Sequence, residues 1–352
     1  MDAHTDQAKG LLYPLSAFVT AAEQPDLLAA VAHVAHTSPH DLTLERDRIT
    51  ATLVAVSRQL RPLSAQVHLA MAASVHQVAG HFHVVLLQAI IDTMAWPDTF
   101  LPTCFAEGFP VVGFCPASAS PTFRVVDRPA AFPDIASLPN AEHNSELARR
   151  AESRVATDPH ARVLWDATTA ECTKGVCQGP FSMDALDARF GRGQWRAMSR
   201  FAVEQFRPDG SVKVRPCDDA AASRHNECTS LGETITCERA DSPVRVAAAF
   251  ASHLGVDGDW TLLLGTDDIE LAYRQCPSRT PQFTVVCLAD PLTGRASFFV
   301  LPGMNFGLTA AVNQFNRLPE LVVAFLRGRS GVCATHYFDD YCVCELDHSC
   351  RS

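Results

Sequence analysis

The sequence predicts an α+β protein, an antiparallel sheet with helices on one face, preceded by a mainly helical N-terminal region. Three observations predict this. Residues 15–96 carry Ala, Leu and Val at three- and four-residue spacing, as in "DLLAAVAHVAH" and "ERDRITATLVAVSRQL". After residue 207 the texture changes to short alternating or apolar runs bounded by Pro, Asp and Gly. Those runs follow the order strand, helix, strand, hairpin, helix, hairpin.

Residues 1–96 read as a helical domain. His33, His36 and His40 fall on one helical face, but Pro39 interrupts it, so ordinary polar helix positions explain them better than a metal cluster. Pro62 to Ile90 carries no formal charge. It holds Gln66, His68, His76, Gln77, His81, His83 and Gln88, which would be costly in hydrocarbon, so it reads as a buried helix and no membrane contact is expected. Residues 97–140 are rich in Pro and Gly and read as a long connector. Residues 141–207 read as helical again. Arg189, Arg192, Arg196 and Arg200 recur every three or four residues, one basic stripe down a helix, either a solvated face or a nucleic-acid contact.

In the C-terminal part, "FRPDGSVKVRPCDD" opens with a turn at Pro208-Asp209-Gly210 and continues as a strand. "SPVRVAAAFASHLG" carries an N-cap at Ser242, Pro243 at the first helical position and a stop at Gly255. "WTLLLGTDDIELAYRQ" is an apolar strand that ends in acids. "FTVVCLADPLTGRASFFVLP" is a hairpin around Asp290–Gly294, and "FGLTAAVNQFNRLPELVVAFLRG" is a helix kinked at Pro319. "GVCATHYFDDYCVCE" is a second hairpin with Asp339 and Asp340 at its tip.

The 352 residues suffice for two or three domains and a sizeable core. A formal net charge of −10 argues against an indiscriminate nucleic-acid coat protein. The charge is uneven: residues 1–148 carry 7 Lys and Arg against 14 acids, and residues 149–224 carry 13 against 10. A polyanion would prefer the second stretch. The 13 cysteines include no CxxC pair, and the Cys172/Cys177 pair is a weak metal signal. With no secretory signal at the start, mostly free thiols in a reducing compartment are expected, which places the protein in the cytoplasm or nucleus.

Two strands end in paired acids, Asp267-Asp268 and Asp339-Asp340. Either pair alone reads better as a solvated turn. Together they repel unless a cation lies between them, and a hard divalent ion takes carboxylate and phosphate oxygens. Two such ions can activate an attacking hydroxyl and stabilise a leaving oxygen in phosphoryl transfer.

Four boxes occur in order: "KVRPCDD", "DIELAYRQ", "LPGMNFGLTAAVNQF" and "YFDD". Over about residues 205–345 this resembles the fingers and palm of a reverse transcriptase, an RNA-directed DNA polymerase of retroelements. The resemblance implies a right-hand polymerase palm over 241–352, a fingers-like region within 141–240, and a chain truncated before the thumb. It implies that Asp268 and Asp339, supported by Asp340, hold two Mg²⁺ (or Mn²⁺) ions. It also implies that Tyr273 lies beneath the incoming sugar, clashing with a ribose 2′-hydroxyl, and that Arg215 with Lys213 grips the triphosphate. Gly307 would let backbone approach nucleotide and template, and Gln275 and Arg274 would be supports. The implied partners are an RNA or DNA template with primer and deoxynucleoside triphosphates. Two departures stand out: "GMN" separates Leu301-Pro302 from Phe306-Gly307, and Val312 follows Ala311 where the family has Pro. The competing readings are a non-catalytic palm remnant that binds nucleic acid or a partner, and an unrelated Mg²⁺-dependent phosphohydrolase. The latter leaves Tyr273 and the "FGL" helix unexplained.

Overall fold

The computed structural model describes residues 24–120, 122–236 and 242–349; the first 23 residues of the helical N-terminal region lie outside them. The protein is of mixed α+β class. It forms two compact units, each assembled from separated stretches of chain. One is built on 24–58, 242–269 and 319–349, the other on Gln59–Thr236 and Glu270–Leu318.

In the first unit, helix α1 (Pro25–His36) starts with Pro in its first turn, where the missing N–H costs nothing. It buries Leu27, Ala30, Val31 and Val34, the i, i+3, i+4, i+7 face of an amphipathic helix. Ser38 accepts a hydrogen bond from the Asp41 N–H and donates one to its carboxylate, capping the start of α2 (Pro39–Ala70). Pro39 thus separates two helices, as the sequence predicts. A third helix, Ser242–Leu254, ends at Gly255 with φ +84°. Its Val246, Ala249 and Phe250 join the α1 face, Leu42, Cys333, Cys344 and Leu346 in one core. Each fully buried Val, Leu or Phe side chain there contributes about 1.5–3 kcal/mol.

That core backs a three-stranded antiparallel sheet. Its strands are Ala334–Tyr337, Asp340–Leu346 and Leu262–Asp268, with Asp340–Leu346 in the centre. The edge strand Leu262–Asp268 is exposed from Leu263 onward.

The second unit is organised around a five-stranded sheet. In spatial order its strands are Gln178–Phe181, Ala296–Val300, Val285–Ala289, Ala197–Phe206 and Val212–Asp218. Ala197–Phe206 pairs with Val285–Ala289 in parallel, and the other pairs are antiparallel.

Both faces of this sheet are covered, which corrects the expectation of helices on one face. Val285, Cys287, Phe298 and Val300 pack with Trp195 and Leu186 under the helix Asn140–Arg154. Val286, Leu288 and Phe299 pack with Leu164 and Trp165 of the helix Ala161–Thr173. "VVCLA" is accordingly buried at every position, the continuous apolar run of a doubly covered strand.

Two further expectations are corrected. The segment 97–140 is not a bare connector: it contains the helix Leu101–Glu107 and the strands Gly113–Cys115 and Arg124–Arg128. Both strands pair with Thr229–Thr234, a partner about a hundred residues away that local composition does not reveal. Residues 141–207 are also not helical throughout. The helix Met183–Phe190 stops at Gly191, φ +92°, and the chain returns as the strand Ala197–Phe206. The four arginines therefore do not form a helical stripe.

Candidate functional site

The two acid pairs predicted from sequence meet at one end of the first unit's sheet. The strands Ala334–Tyr337 and Asp340–Leu346 are joined by the two-residue turn Phe338-Asp339. Phe338 has φ +58°, unusual for a bulky residue. Three contacts hold it: the Tyr337 ring lies edge-on at 4.8 Å, the Phe338 carbonyl lies 3.3 Å from His336 Nδ1, and His336 Nε2 lies 3.1 Å from Glu320.

Asp340 stands directly opposite Asp268 across the ladder, and Tyr341 opposite Asp267. The Ile269 N–H donates to the Asp339 carbonyl at 3.1 Å, which ties the turn to the end of the neighbouring strand. Directly opposed residues share a face with Cβ atoms about 4.5–5.5 Å apart. Asp268 and Asp340 are therefore a same-face carboxylate pair, both exposed, with half-buried Asp339 beside them. Asp267 projects to the other face, and there the Tyr341 phenol is pushed up by burial and by the charges of Glu320 and Asp267.

Like charges directly opposite destabilise a strand pair unless a cation is shared. The donor set is all carboxylate oxygen, which suits a hard divalent ion. Among the described residues no three His, Cys, Asp or Glu side chains are grouped so as to hold a metal. Mg²⁺ commonly takes only one or two carboxylates and completes its shell with water and substrate phosphate, so the pair fits that mode of binding.

The other predicted residues belong to the second unit. Tyr273 lies on a short 3₁₀ turn, Ala272–Gln275, with its ring edge-on to Phe306 at 4.9 Å and to Phe315 at 5.0 Å. Gln275 is exposed and donates to the Glu270 carbonyl. Lys213 and Arg215 sit two apart on Val212–Asp218, both exposed on one face of the strand, and Arg215 Nε donates to Gln205 at 2.9 Å. Gly307 has φ +93°, and a Cβ there would stand 2.1 Å from the Asp218 carbonyl oxygen, so only glycine fits.

The predicted basic stripe is dispersed. Arg189 lies over the Phe190 ring at 4.9 Å and donates to Gln178. Arg192 is exposed in the turn that follows. Arg196 is buried, donating to the Ser223 carbonyl at 2.5 Å and to Asn140 at 3.0 Å, and burial lowers its pKa to about 10. Arg200 is also buried, donating to Asp218 at 2.7 Å and to Glu171 at 2.8 Å. Arg196 and Arg200 are thus committed to internal contacts and unavailable to a polyanion.

Sequence reasoning missed what these contacts build. Asp218, at the end of "KVRPCDD", also accepts from Asn305 at 3.0 Å, and Arg274 donates to Glu171 at 3.3 Å and to the Met304 carbonyl at 2.6 Å. One buried polar network therefore joins three of the four boxes: Asp218, Arg274 and the Met304-Asn305 pair. Its only sequence signal is charge placed in otherwise apolar runs.

No protein-family model matches the chain, and no curated protein matches it.

Proposed function

We propose that this chain is the fingers and palm of an RNA-directed DNA polymerase, transferring deoxynucleotides to a primer under the direction of a template. The observation that carries the reading is the pairing of Asp268 with Asp340. Two boxes 72 residues apart in sequence become cross-strand partners, with Asp339 in the adjoining turn. In this reading Asp268 and Asp340, with Asp339 in the adjoining turn, would supply carboxylate oxygens to two Mg²⁺ or Mn²⁺ ions, with water and substrate phosphate completing their shells. When bound, such ions lower the pKa of an attacking hydroxyl and stabilise the leaving oxygen.

The side chains themselves have simpler tasks. The hairpin holds the carboxylates on a hydrogen-bonded base, so that they converge without reorganisation. Arg215 and Lys213, two exposed cations on one strand face of the second unit, have the chemistry to bind triphosphate oxygens. Tyr273 is braced by Phe306 and Phe315 and offers a flat ring to the sugar. The missing Cβ of Gly307 lets its backbone pack against the Asp218 carbonyl, and Gln275 supports the Tyr273 turn.

The test is incorporation of deoxy- and ribonucleotides on a primed RNA template. The reading expects template-dependent addition of deoxynucleotides and, in Tyr273→Ala, relaxed discrimination against ribonucleotides. Binding of nucleic acid without any incorporation would instead support a non-catalytic palm remnant.

A further inference from the structure

In the first unit, His36 ends α1 and His253 lies in the last turn of the helix Ser242–Leu254. The two helices pack through Val31, Val34, Val246 and Phe250 in one buried core, which fixes where their ends lie. There the two imidazoles meet. His36 Nε2 lies 3.2 Å from His253 Nδ1, and the rings are edge-on with centroids 5.1 Å apart. Both side chains are exposed, so an ion reaches them from solvent. Along the chain His36 neighbours only His33 and His40, and Pro39 breaks that face; its partner His253 is 217 residues further on. His33 is engaged elsewhere, 2.8 Å from Glu45.

We propose that His36 and His253 form a two-histidine site for a divalent transition-metal ion, zinc foremost, that ties the ends of the two helices together. The spacing fits: at Zn–N distances of about 2.0–2.1 Å in a tetrahedral centre, two imidazole nitrogens stand about 3.3 Å apart, and these stand 3.2 Å apart. The electrostatics fit as well. Both nitrogens come from the last turns of helices, where unsatisfied carbonyls and the negative ends of two dipoles favour a cation. Neutral imidazole suits zinc, copper and nickel, whereas Mg²⁺ prefers oxygen ligands. The site is therefore chemically distinct from the Asp268–Asp340 pair and independent of the polymerase reading. Two protein ligands leave the remaining positions of the ion to water.

The test is isothermal titration of Zn²⁺ into the reduced, tag-free full chain, with melting temperatures measured alongside, for wild type, His36→Gln, His253→Gln and His40→Gln. All three positions are exposed, and a cooperative transition without metal checks the fold of each variant. His40 lies in α2, outside the pair, and serves as the control. Wild type and His40→Gln should bind the ion and melt several degrees higher with it. Losing even an outer partner of a metal ligand costs about 10–100-fold in affinity, so losing a ligand should weaken binding at least about tenfold in His36→Gln and in His253→Gln, and remove the thermal shift. Excess Mg²⁺ should not displace the zinc. A wild type that binds no zinc, or zinc affinity and thermal shift unchanged in both histidine variants, would overturn the site. A loss confined to one of the two variants would overturn the pairing of His36 with His253 on one ion.

Discussion

Asp340 faces Asp268 across the ladder that joins the hairpin to the exposed edge strand, with the Ile269 N–H bonded to the Asp339 carbonyl at the same end. Two like charges there weaken the sheet until a cation is shared. Millimolar Mg²⁺ should therefore raise the melting temperature of wild type by about 2 °C, the shift expected from ligand at several times its dissociation constant. In Asp268→Asn/Asp340→Asn, differential scanning fluorimetry should show no response to Mg²⁺ and a melting temperature at or above that of metal-free wild type.

Gly307→Ala should destabilise the protein by about 2–4 kcal/mol. The substitution meets both a positive φ and a carbonyl oxygen 2.1 Å from the new Cβ. Denaturant unfolding checks this, and Gly294→Ala is the control. Gly294 also has positive φ, at +71°, but nothing lies within 4 Å of its added Cβ, so its loss should be about 1 kcal/mol.

Arg200→Ala should cost about 3–5 kcal/mol because it removes the nearest cation from buried Asp218 and leaves it only Asn305 at 3.0 Å and the more distant Arg274 at 3.8 Å. Arg192→Ala, at an exposed turn position, should stay within about 0.5 kcal/mol of wild type. A basic helical stripe would make the two substitutions equivalent, so comparing their unfolding midpoints separates the two arrangements.

His225 is buried and its pKa is lowered to about 3, first by burial and then by the positive charges of Arg196 and His143. Its Nδ1 lies 2.8 Å from Ser223 Oγ. The unfolded chain takes up this proton near pH 6.5, while the folded chain resists it until about pH 3. The contribution to stability is thus complete above pH 6.5 and is lost as pH falls, by about 2 kcal/mol at pH 5. Chemical denaturation at pH 7 and pH 5 should show this loss, and His225→Gln should flatten it.

The elements legible in the sequence are those whose signal is local. The helix Ser242–Leu254 was marked by its Ser-Pro start and Gly stop, and the acidic hairpin by apolar runs around a short polar tip. Arginines at 189, 192, 196 and 200 mimic a helical period across a segment that folds as the strand Ala197–Phe206. What makes it a strand is its ladder with Val212–Asp218 and Val285–Ala289, the latter some ninety residues later. The strand Arg124–Arg128 was hidden for the same reason, since its partner lies about a hundred residues on. "VVCLA" did carry a readable sign of burial on both faces, in its lack of alternation. At the candidate site the acids could be named from sequence, but the partnership of Asp268 with Asp340 rather than Asp339 is a matter of register. The network linking Arg200, Asp218 and Arg274 has no period at all.

The most direct measurement is extension of a labelled primer on an RNA template by the whole chain with Mg²⁺ or Mn²⁺, for wild type, Asp268→Ala and Asp339→Ala. Each variant is first checked for a cooperative melting transition. If Asp268 and Asp339 hold the catalytic ions, wild type extends the primer only with divalent metal, and each substitution abolishes extension while leaving template binding intact. Folded wild type that fails to extend at high enzyme concentration, or variants that extend as well as wild type, would contradict it.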